Sequence, residues 1–208
     1  MKDTPTMTAV IEKIIDKCLL DLHTALPGII QSYDPEKKKA DIRPALKRKF
    51  IDDRPDEELN LITDVPIAFL QTNNFIFSIP LQKGDEVLLI FSERSLDKWL
   101  KSGATISPDD PRKFDLSDAI AIPILKPFET GKQADPENAL IEHGKSVIKV
   151  SQNGTFAITN GKEEVISLLK ELADACAAII TNTQIGPQPP TNKAQFQQLS
   201  QRIGGLIL

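Results

Sequence analysis

The clearest hydrophobic pattern in this chain lies between Phe75 and Trp99. An alternating β-type run leads into a polar turn at residues 83–85, and the five residues that follow, 87–91, are all apolar. A continuous apolar run of this length is typical of a strand buried on both faces. The stretch therefore predicts a hairpin. Ser95, a good N-cap residue, predicts that a short helix follows and ends near residues 102–103.

Apolar runs on either side of this hairpin predict the remaining strands. Residues 29–50 indicate another hairpin, residues 59–70 a third group, and residues 119–124 the last strand. Pro44 and Pro66 cannot donate to a β-ladder, so each predicts an edge strand or a bulge. Five to six strands with a helix among them fit a small Greek-key barrel of the OB type, with a β-sandwich as the main alternative.

Helical periodicity marks both ends of the chain. Residues 8–25 predict a first helix capped by Thr8, whose apolar stripe packs on its own barrel or on a second subunit. Residues 162–181 predict the strongest helix and residues 192–203 a shorter one that folds back on it. An apolar seam recurs about every 3.5 residues along the strongest helix, as in a coiled coil; its members are Val165, Leu168, Leu172, Cys176 and Ile179.

The segments before that helix are short of core residues. Residues 126–142 have the composition of a linker, and residues 144–161 contain only two short alternating runs. Two such strands cannot bury a core as a monomer. We therefore favour self-association, with several copies wrapped into a small prism, over a helix packed on a globular core. The apolar tail 206–208 is expected to pack on the helices, with a membrane or a partner as the alternative.

Composition limits the possible functions. The 208 residues carry a net charge of −4, and 26% are charged, as in an ordinary soluble protein. This balance argues against a chain that mainly binds a phosphate backbone. No run of ~18 apolar residues predicts a membrane span, and the polar N-terminus does not resemble a secretory signal. Cys18 and Cys176 are expected to be reduced thiols.

No catalytic constellation appears in the sequence. A nucleophile elbow, a Walker loop, a zinc-protease helix and a dinucleotide fingerprint are all missing, and the only histidines are His23 and His143. We therefore expect no enzymatic activity, no cofactor and no metal site. The basic segments 37–39 and 47–49 leave open an alternative, an OB-fold protein that binds single-stranded nucleic acid. A solvated face or an acidic protein partner is the favoured interpretation of these segments.

Charged residues also surround the loop 104–118. Arg94 and Arg112 are expected to pair with Asp97, Asp115 or Asp118 and to fasten this loop over the short helix. We interpret these pairs as structural, because paired charges in a Pro- and Asp-rich loop need no catalytic role to explain them.

A resemblance extends over roughly residues 20–125. In order along the chain, segments 22–30, 64–67, 80–85, 88–99 and 112–119 resemble the central spike, or cell-puncturing, proteins of contractile phage tails that carry an N-terminal OB-fold domain. The positions that carry this motif are Pro27, Gly28, Gly84, Asp85, Arg94, Asp97, Trp99, Arg112, Asp115 and Asp118.

The resemblance implies a trimer on the axis of the tail. It implies that the OB domains attach to the baseplate hub and that the downstream region helps to breach the host envelope. It places the protein in the virion and carries no catalytic residue onto these positions. A separate spike-tip protein and the host outer membrane are further expected partners, whereas nucleic acid is not expected.

The resulting expectation is a mainly-β protein with helices. It comprises an N-terminal helix (1–26), an OB-fold baseplate domain (27–128), a linker (129–143), a short intertwined β-prism or β-helix segment (144–161) and a C-terminal helical hairpin (162–208). Long spikes carry an extended β-helix and sometimes a His-x-His metal tip, which this chain lacks. It is therefore expected either to hold a separate tip or to use its helices as the tip.

Overall fold

The computed structural model describes residues 6–50 and 54–205. The chain folds as two compact units, Met1–Gly131 and Lys132–Leu208, which we call the half-barrel unit and the C-terminal unit. The secondary structure is mixed α and β, and the β-strand pairings within the sheets are antiparallel. The predicted tail 206–208 lies outside the described residues.

The half-barrel unit begins with helix α1, Met7–Leu20. The Thr6 hydroxyl oxygen accepts a hydrogen bond from the Ala9 N–H at 3.3 Å, so the cap is Thr6 and not the predicted Thr8. The helix ends at Leu20, five residues before the predicted boundary at residue 25, because the next strand already starts at Ala25. No residue of α1 is buried.

Seven strands follow in this unit. They are β1 (Ala25–Asp34), β2 (Lys39–Pro44), β3 (Ile62–Pro66), β4 (Leu70–Gln71), β5 (Ile76–Phe77), β6 (Glu86–Phe91) and β7 (Ala119–Ile122). Five of them form one curled sheet in the order β3-β2-β1-β6-β7. The sheet bends far enough for its two ends to meet, since Ile67, just after β3, forms a parallel bridge with Ala121 of β7. The Ala68 N–H donates to the Ala121 carbonyl at 2.8 Å.

The inner face of this sheet forms the hydrophobic core. Alternate residues of each strand point inward, as the period of two in a strand requires. The largest fully buried apolar side chains are Ile30, Ile42, Val65, Val87 and Leu89. Gly28 lies where β1 and β6 come closest to β2: a Cβ added there would lie 2.6 Å from Ile42 Cγ2 and 3.0 Å from Leu89 Cδ1. The core therefore requires a residue without a side chain at this position.

The predicted hairpin between Phe75 and Trp99 is wrong. β5 turns back to pair with β4, whereas β6 pairs with β1 and β7. The apolar run of β6 is not buried on both faces either, because Val87, Leu89 and Phe91 are buried and Leu88 and Ile90 are only half-buried. The turn at Gly84 is present, with φ of +96°, but it carries the chain into the sheet beside β1.

The proline predictions have mixed outcomes. β3, which ends at Pro66, is an edge strand of the sheet order, as expected. β2 is not an edge strand, because it lies between β1 and β3, and its register shifts fall near Ala40 and Ile42 and not at Pro44. Pro44 is tolerated because it is the last residue of the strand, where its missing N–H interrupts no further pairing.

The short helix α2 spans only Trp99–Ser102. The predicted N-cap, Ser95, is wrong: it is buried and its hydroxyl donates to Asp97 at 3.4 Å, four residues before the helix begins. The predicted end is confirmed, because Gly103 adopts the left-handed conformation with φ of 66°. A 3₁₀ turn, Leu116–Asp118, then leads into β7.

The C-terminal unit starts with a three-stranded antiparallel sheet, in the order β10-β9-β8. Its strands are β8 (Asn138–His143), β9 (Ser146–Ser151) and β10 (Phe156–Thr159). The predicted linker 129–143 is therefore wrong in its second half, which pairs along its whole length with β9. Alternation in this strand is weak, because Ala139, Leu140 and Ile141 follow one another.

Two helices complete the unit. α3 spans Val165–Ala178, α4 spans Lys193–Gly204, and the two pack against each other. Between them lies a small hairpin that the sequence did not predict, formed by β11 (Thr181–Thr183) and β12 (Gly186–Gln188). The prolines at positions 187, 189 and 190 predict only a break between the two helices.

Candidate assembly interface

The three-stranded sheet of the C-terminal unit has one apolar face. Cross-strand pairing places Ile141, Ile148 and Ile158 in one row, and Ala139, Val150 and Phe156 in the next. Directly paired residues point to the same side of a sheet. We call this set of six residues the apolar sheet face.

The opposite face is largely polar. Its outer rows contain Asn138 and Ser151 at one end and Glu142 and Thr159 at the other, and Lys149 lies in the central row between Leu140 and Ala157. Lys149 pairs with Asp135 at 3.1 Å. Backbone N–H donation from Glu137 is the main cause that lowers the pKa of Asp135. An antiparallel sheet with one apolar and one polar face normally buries the apolar one.

The described residues leave most of the apolar sheet face exposed, although Phe156 is half-buried. Ile141, Ile148, Val150 and Ile158 all remain exposed, and Ile141 keeps 53% of its accessible surface. An open groove joins Ile148 and Ile158 to Val165 and Leu168 at the start of α3. The apolar surface of the sheet is therefore continuous with the helix.

The predicted seam of α3 continues this surface. Val165, Leu168, Leu172 and Ile179 are exposed and Cys176 is half-buried. The side chains of α3 that are buried are Ile166, Ala173 and Ala177, which lie on a different face of the helix. α4 thus packs beside the seam and leaves it uncovered.

Glu164 fixes α3 to the sheet. Its carboxylate accepts hydrogen bonds from the Ile166 and Ser167 N–H groups in the first turn of α3, and from the Ile158 N–H of β10 at 3.1 Å. Burial opposes ionisation, but these backbone donors prevail and lower the pKa of Glu164 to about 2. The sequence indicated only a favourable acidic residue near the helix start, because a glutamate cap has no strong local signature.

In the half-barrel unit, Arg112 closes the loop 104–118. Its Nε donates to Asp118 at 2.6 Å, and its Nη2 donates to Asp118 at 2.9 Å and to Asp97 at 2.8 Å. The Asp118 side chain is 1% exposed and also accepts from the Leu96 N–H. Hydrogen bonding to Asp118 and Asp97 raises the pKa of Arg112, and the bond from Arg112 is the main cause that lowers the pKa of Asp97.

The other acidic and basic motif residues do not join this cluster. Asp115 caps the 3₁₀ turn, and its pKa is lowered chiefly by a hydrogen bond from the Ser117 hydroxyl. Arg94 pairs with Glu93 at 3.2 Å, so its predicted pairing with Asp97, Asp115 or Asp118 is wrong. Trp99 is exposed on α2.

The remaining motif positions shape the turn before β6 and the start of β1. The Gly84 N–H donates to the Ile30 carbonyl at 2.8 Å, and the Asp85 carboxylate accepts from the Gln82 N–H at 2.7 Å. The Pro27 carbonyl accepts from the Ala45 N–H at 2.8 Å. With Gly28, these residues hold β1 and β6 in register, so the motif mainly specifies the fold of the half-barrel.

The basic segments carry acidic neighbours. Lys37 pairs with Asp34 at 3.2 Å, Lys39 with Asp64 at 3.4 Å, and Lys47 with Glu58 at 3.4 Å. Arg48 lies 3.7 Å from Asp21 at the end of α1. These acids reduce the positive field that a nucleic-acid groove needs.

Two further features are absent from residues 6–50 and 54–205. Within these ranges, no group of three or more His, Cys, Asp or Glu side chains could hold a metal ion. None of the helices in this part of the chain is long and apolar enough to cross a membrane.

One family model matches part of the half-barrel unit. Residues 26–124, slightly less than half of the chain, match the family model described as phage protein Gp138 N-terminal domain. The match supports a phage protein family of the baseplate type and suggests a structural component of the virion. No curated protein matches the chain.

Replacing Arg112 by Gln should destabilise the half-barrel unit by about 2–4 kcal/mol, because Asp118 would remain buried without its cation. Arg94→Gln is the matched control: it removes an exposed pair and should cost less than about 1 kcal/mol. Urea unfolding measures both. Equal losses in the two variants would contradict this role of Arg112.

Replacing Glu164 by Gln should lower the unfolding free energy of the C-terminal unit by about 1 kcal/mol at neutral pH. The pKa of Glu164 is depressed in the folded state, so its stabilisation is present above its unfolded pKa and disappears as the pH falls toward about 2. The difference between wild type and variant should therefore shrink on acidification. Glu163→Gln is the control; a difference that persists unchanged at acidic pH would disprove the assignment.

Proposed function

We propose that this chain is a structural component of a contractile phage-tail baseplate, the trimeric central spike on the tail axis. The match of residues 26–124 to a phage protein family supports the setting. The observation that carries the trimer is the continuous apolar surface from the apolar sheet face to the α3 seam. A single chain leaves that surface in water, at a cost that association with other copies would remove.

The half-barrel is proposed to be an OB fold. The sheet order β3-β2-β1-β6-β7 and the parallel contact between Ile67 and Ala121 support this assignment. Together they describe a five-stranded sheet that curls until its end strands touch, as expected for a small, partly open Greek-key barrel.

The C-terminal unit is proposed to assemble around the tail axis. Three apolar sheet faces turned inward would form a short β-prism, and three α3 seams would continue it as a helical bundle. Glu164 keeps sheet and helix in one orientation, so both surfaces can face the same axis. The heptad spacing alone does not distinguish three chains from two or four; the resemblance to tail spikes favours three.

The proposed role is mechanical. The half-barrel attaches to the baseplate hub, and the C-terminal unit helps to puncture the host envelope without an enzymatic step, a cofactor or bound nucleic acid. The host outer membrane and a separate tip protein are proposed partners. The alternative role in binding single-stranded nucleic acid gains no support from the basic segments, because acidic residues accompany them.

Two neighbouring residues of β8 test the assembly. Ile141 lies on the apolar sheet face and Leu140 on the opposite face; they are 53% and 38% exposed. Ile141→Asp should abolish the trimer, because three carboxylates would be forced into an apolar interior. Leu140→Asp should leave it intact, because its side chain would remain in water.

The readout is solution mass by light scattering. Three chains of 23.0 kDa give 69.0 kDa, the mass expected for wild type and Leu140→Asp, whereas Ile141→Asp should approach 23.0 kDa. Circular dichroism checks that both variants keep their strands. A trimeric Ile141→Asp variant, or a monomeric wild type, would contradict the proposed assembly.

A further inference from the structure

The hairpin β11–β12 presents an apolar turn to solvent. It connects α3 to α4, and the turn residues Gln184 and Ile185 stand at its end. Ile185 is 85% exposed, and Ile180, just before β11, is also largely exposed. Single exposed apolar residues are common on protein surfaces. Ile185, however, makes no burying contact with the described part of the chain, and a second exposed isoleucine, Ile180, lies just before the same hairpin.

Hydrogen bonds within the hairpin hold its turn. β11 pairs with β12 from Thr181 to Gln188. The Thr183 hydroxyl donates to the Gly186 carbonyl at 2.8 Å and accepts from the Ile185 N–H at 3.3 Å. A segment that leaves water must keep its backbone groups paired, and this hairpin meets that requirement at its turn.

The sequence around the hairpin carries little charge, and what it carries is positive. Residues 175–192 contain no Asp, Glu, Lys, Arg or His. From residue 175 to residue 208 the only charged side chains are Lys193 and Arg202, so this part carries two positive and no acidic side chains, whereas the whole chain has a net charge of −4. Lys193 lies five residues after the end of β12, at the start of α4.

From these observations we infer that the hairpin β11–β12 is a lipid-contacting element. Ile180 and Ile185 enter the boundary between headgroups and acyl chains, and Lys193 lies against anionic headgroups. The polar residues of the hairpin are amides, hydroxyls and prolines, which suit the interfacial region. The segment is too short to span a bilayer and acts at its surface.

This inference rests on the proposed function, because the spike role supplies the encounter with an envelope. A trimer would present three copies of the hairpin, and linked weak contacts bind far more tightly than single ones. A protein surface, such as a separate tip protein, is the competing occupant, and the test below separates the two.

The test uses the full chain and flotation with vesicles of phosphatidylethanolamine and phosphatidylglycerol. Wild type should float with these vesicles, and less so with phosphatidylcholine alone. Ile185→Asp should lower the bound fraction at least about tenfold, because a carboxylate replaces a buried apolar side chain. Ile185→Trp in a Trp99→Phe background should bind and shift its fluorescence to the blue.

The matched control is Phe75→Asp. Phe75 is 55% exposed beside the other small hairpin, β4–β5, and residues 65–82 are equally free of charged side chains. This variant should bind vesicles as wild type does. An equal loss in Phe75→Asp and Ile185→Asp would show that the loss of binding is not specific to the hairpin β11–β12 and would overturn the assignment.

Solution mass separates this inference from the proposed function. Ile185→Asp should keep the 69.0 kDa mass of three chains, so that its loss of binding reports the hairpin alone. A trimeric wild type that fails to float with either vesicle would overturn the lipid assignment, leave the spike intact and favour a protein occupant. A monomeric wild type would contradict the assembly, while specific loss of binding in Ile185→Asp would still support the hairpin.

Discussion

The C-terminal unit carries more apolar surface than it can bury. Its sheet is only three strands wide, and the one helix that packs on α3 covers a face other than the seam. Ile141, Ile148 and Leu172 therefore stay in water when the chain is alone. Exposure of this apolar surface to water costs free energy, and the proposed assembly would remove that cost. The hydrogen bonds of Glu164 to β10 and to the first turn of α3 hold the sheet and the helix together, so that their apolar residues form one surface.

The half-barrel unit meets the opposite condition. Its core closes on itself, with Ile30, Ile42 and Leu89 fully buried, and Arg112 holds the loop 104–118 through its contact with the buried Asp118. The core of this unit is therefore complete within one chain. Helix α1 contributes no buried residue to this core, and its apolar stripe is exposed.

Some of this organisation could be predicted from the sequence. Apolar runs indicated the strands β1, β2 and β7, and helical periodicity indicated α1, α3 and α4, because such patterns show which residues share one face of an element. The short helix α2 was expected from Ser95, which does not cap it. The heptad spacing also predicts the seam of α3 as a surface for self-association, and within one chain the structure leaves that seam exposed. Which strands pair with each other could not be predicted from the sequence. The apolar runs before and after Gly84 are adjacent in sequence, yet β6 pairs with β1 and β7, because the curled sheet as a whole determines the neighbours of each strand.

Other features had no local signature. The sequence of β8 predicts a linker because its apolar residues are consecutive and do not alternate. Its strand conformation is evident only from its pairing with β9. Of the paired charges, Arg112 was placed correctly and Arg94 was not, since both lie in polar loops and only the fold decides which one reaches Asp118. The hairpin β11–β12 was not predicted because its prolines argue against a strand.

In the proposed assembly the α3 seams of several copies face one another, and Cys176 lies in that seam. In a Cys18→Ser variant, mild oxidation should join chains through Cys176, because core positions of a parallel bundle bring their Cα atoms within disulfide range. A threefold bundle leaves one thiol in three unpaired, so about two thirds of the chains should run as linked pairs on a denaturing gel. Complete pairing would indicate an even number of chains, and no linkage in a protein that remains assembled would contradict the seam.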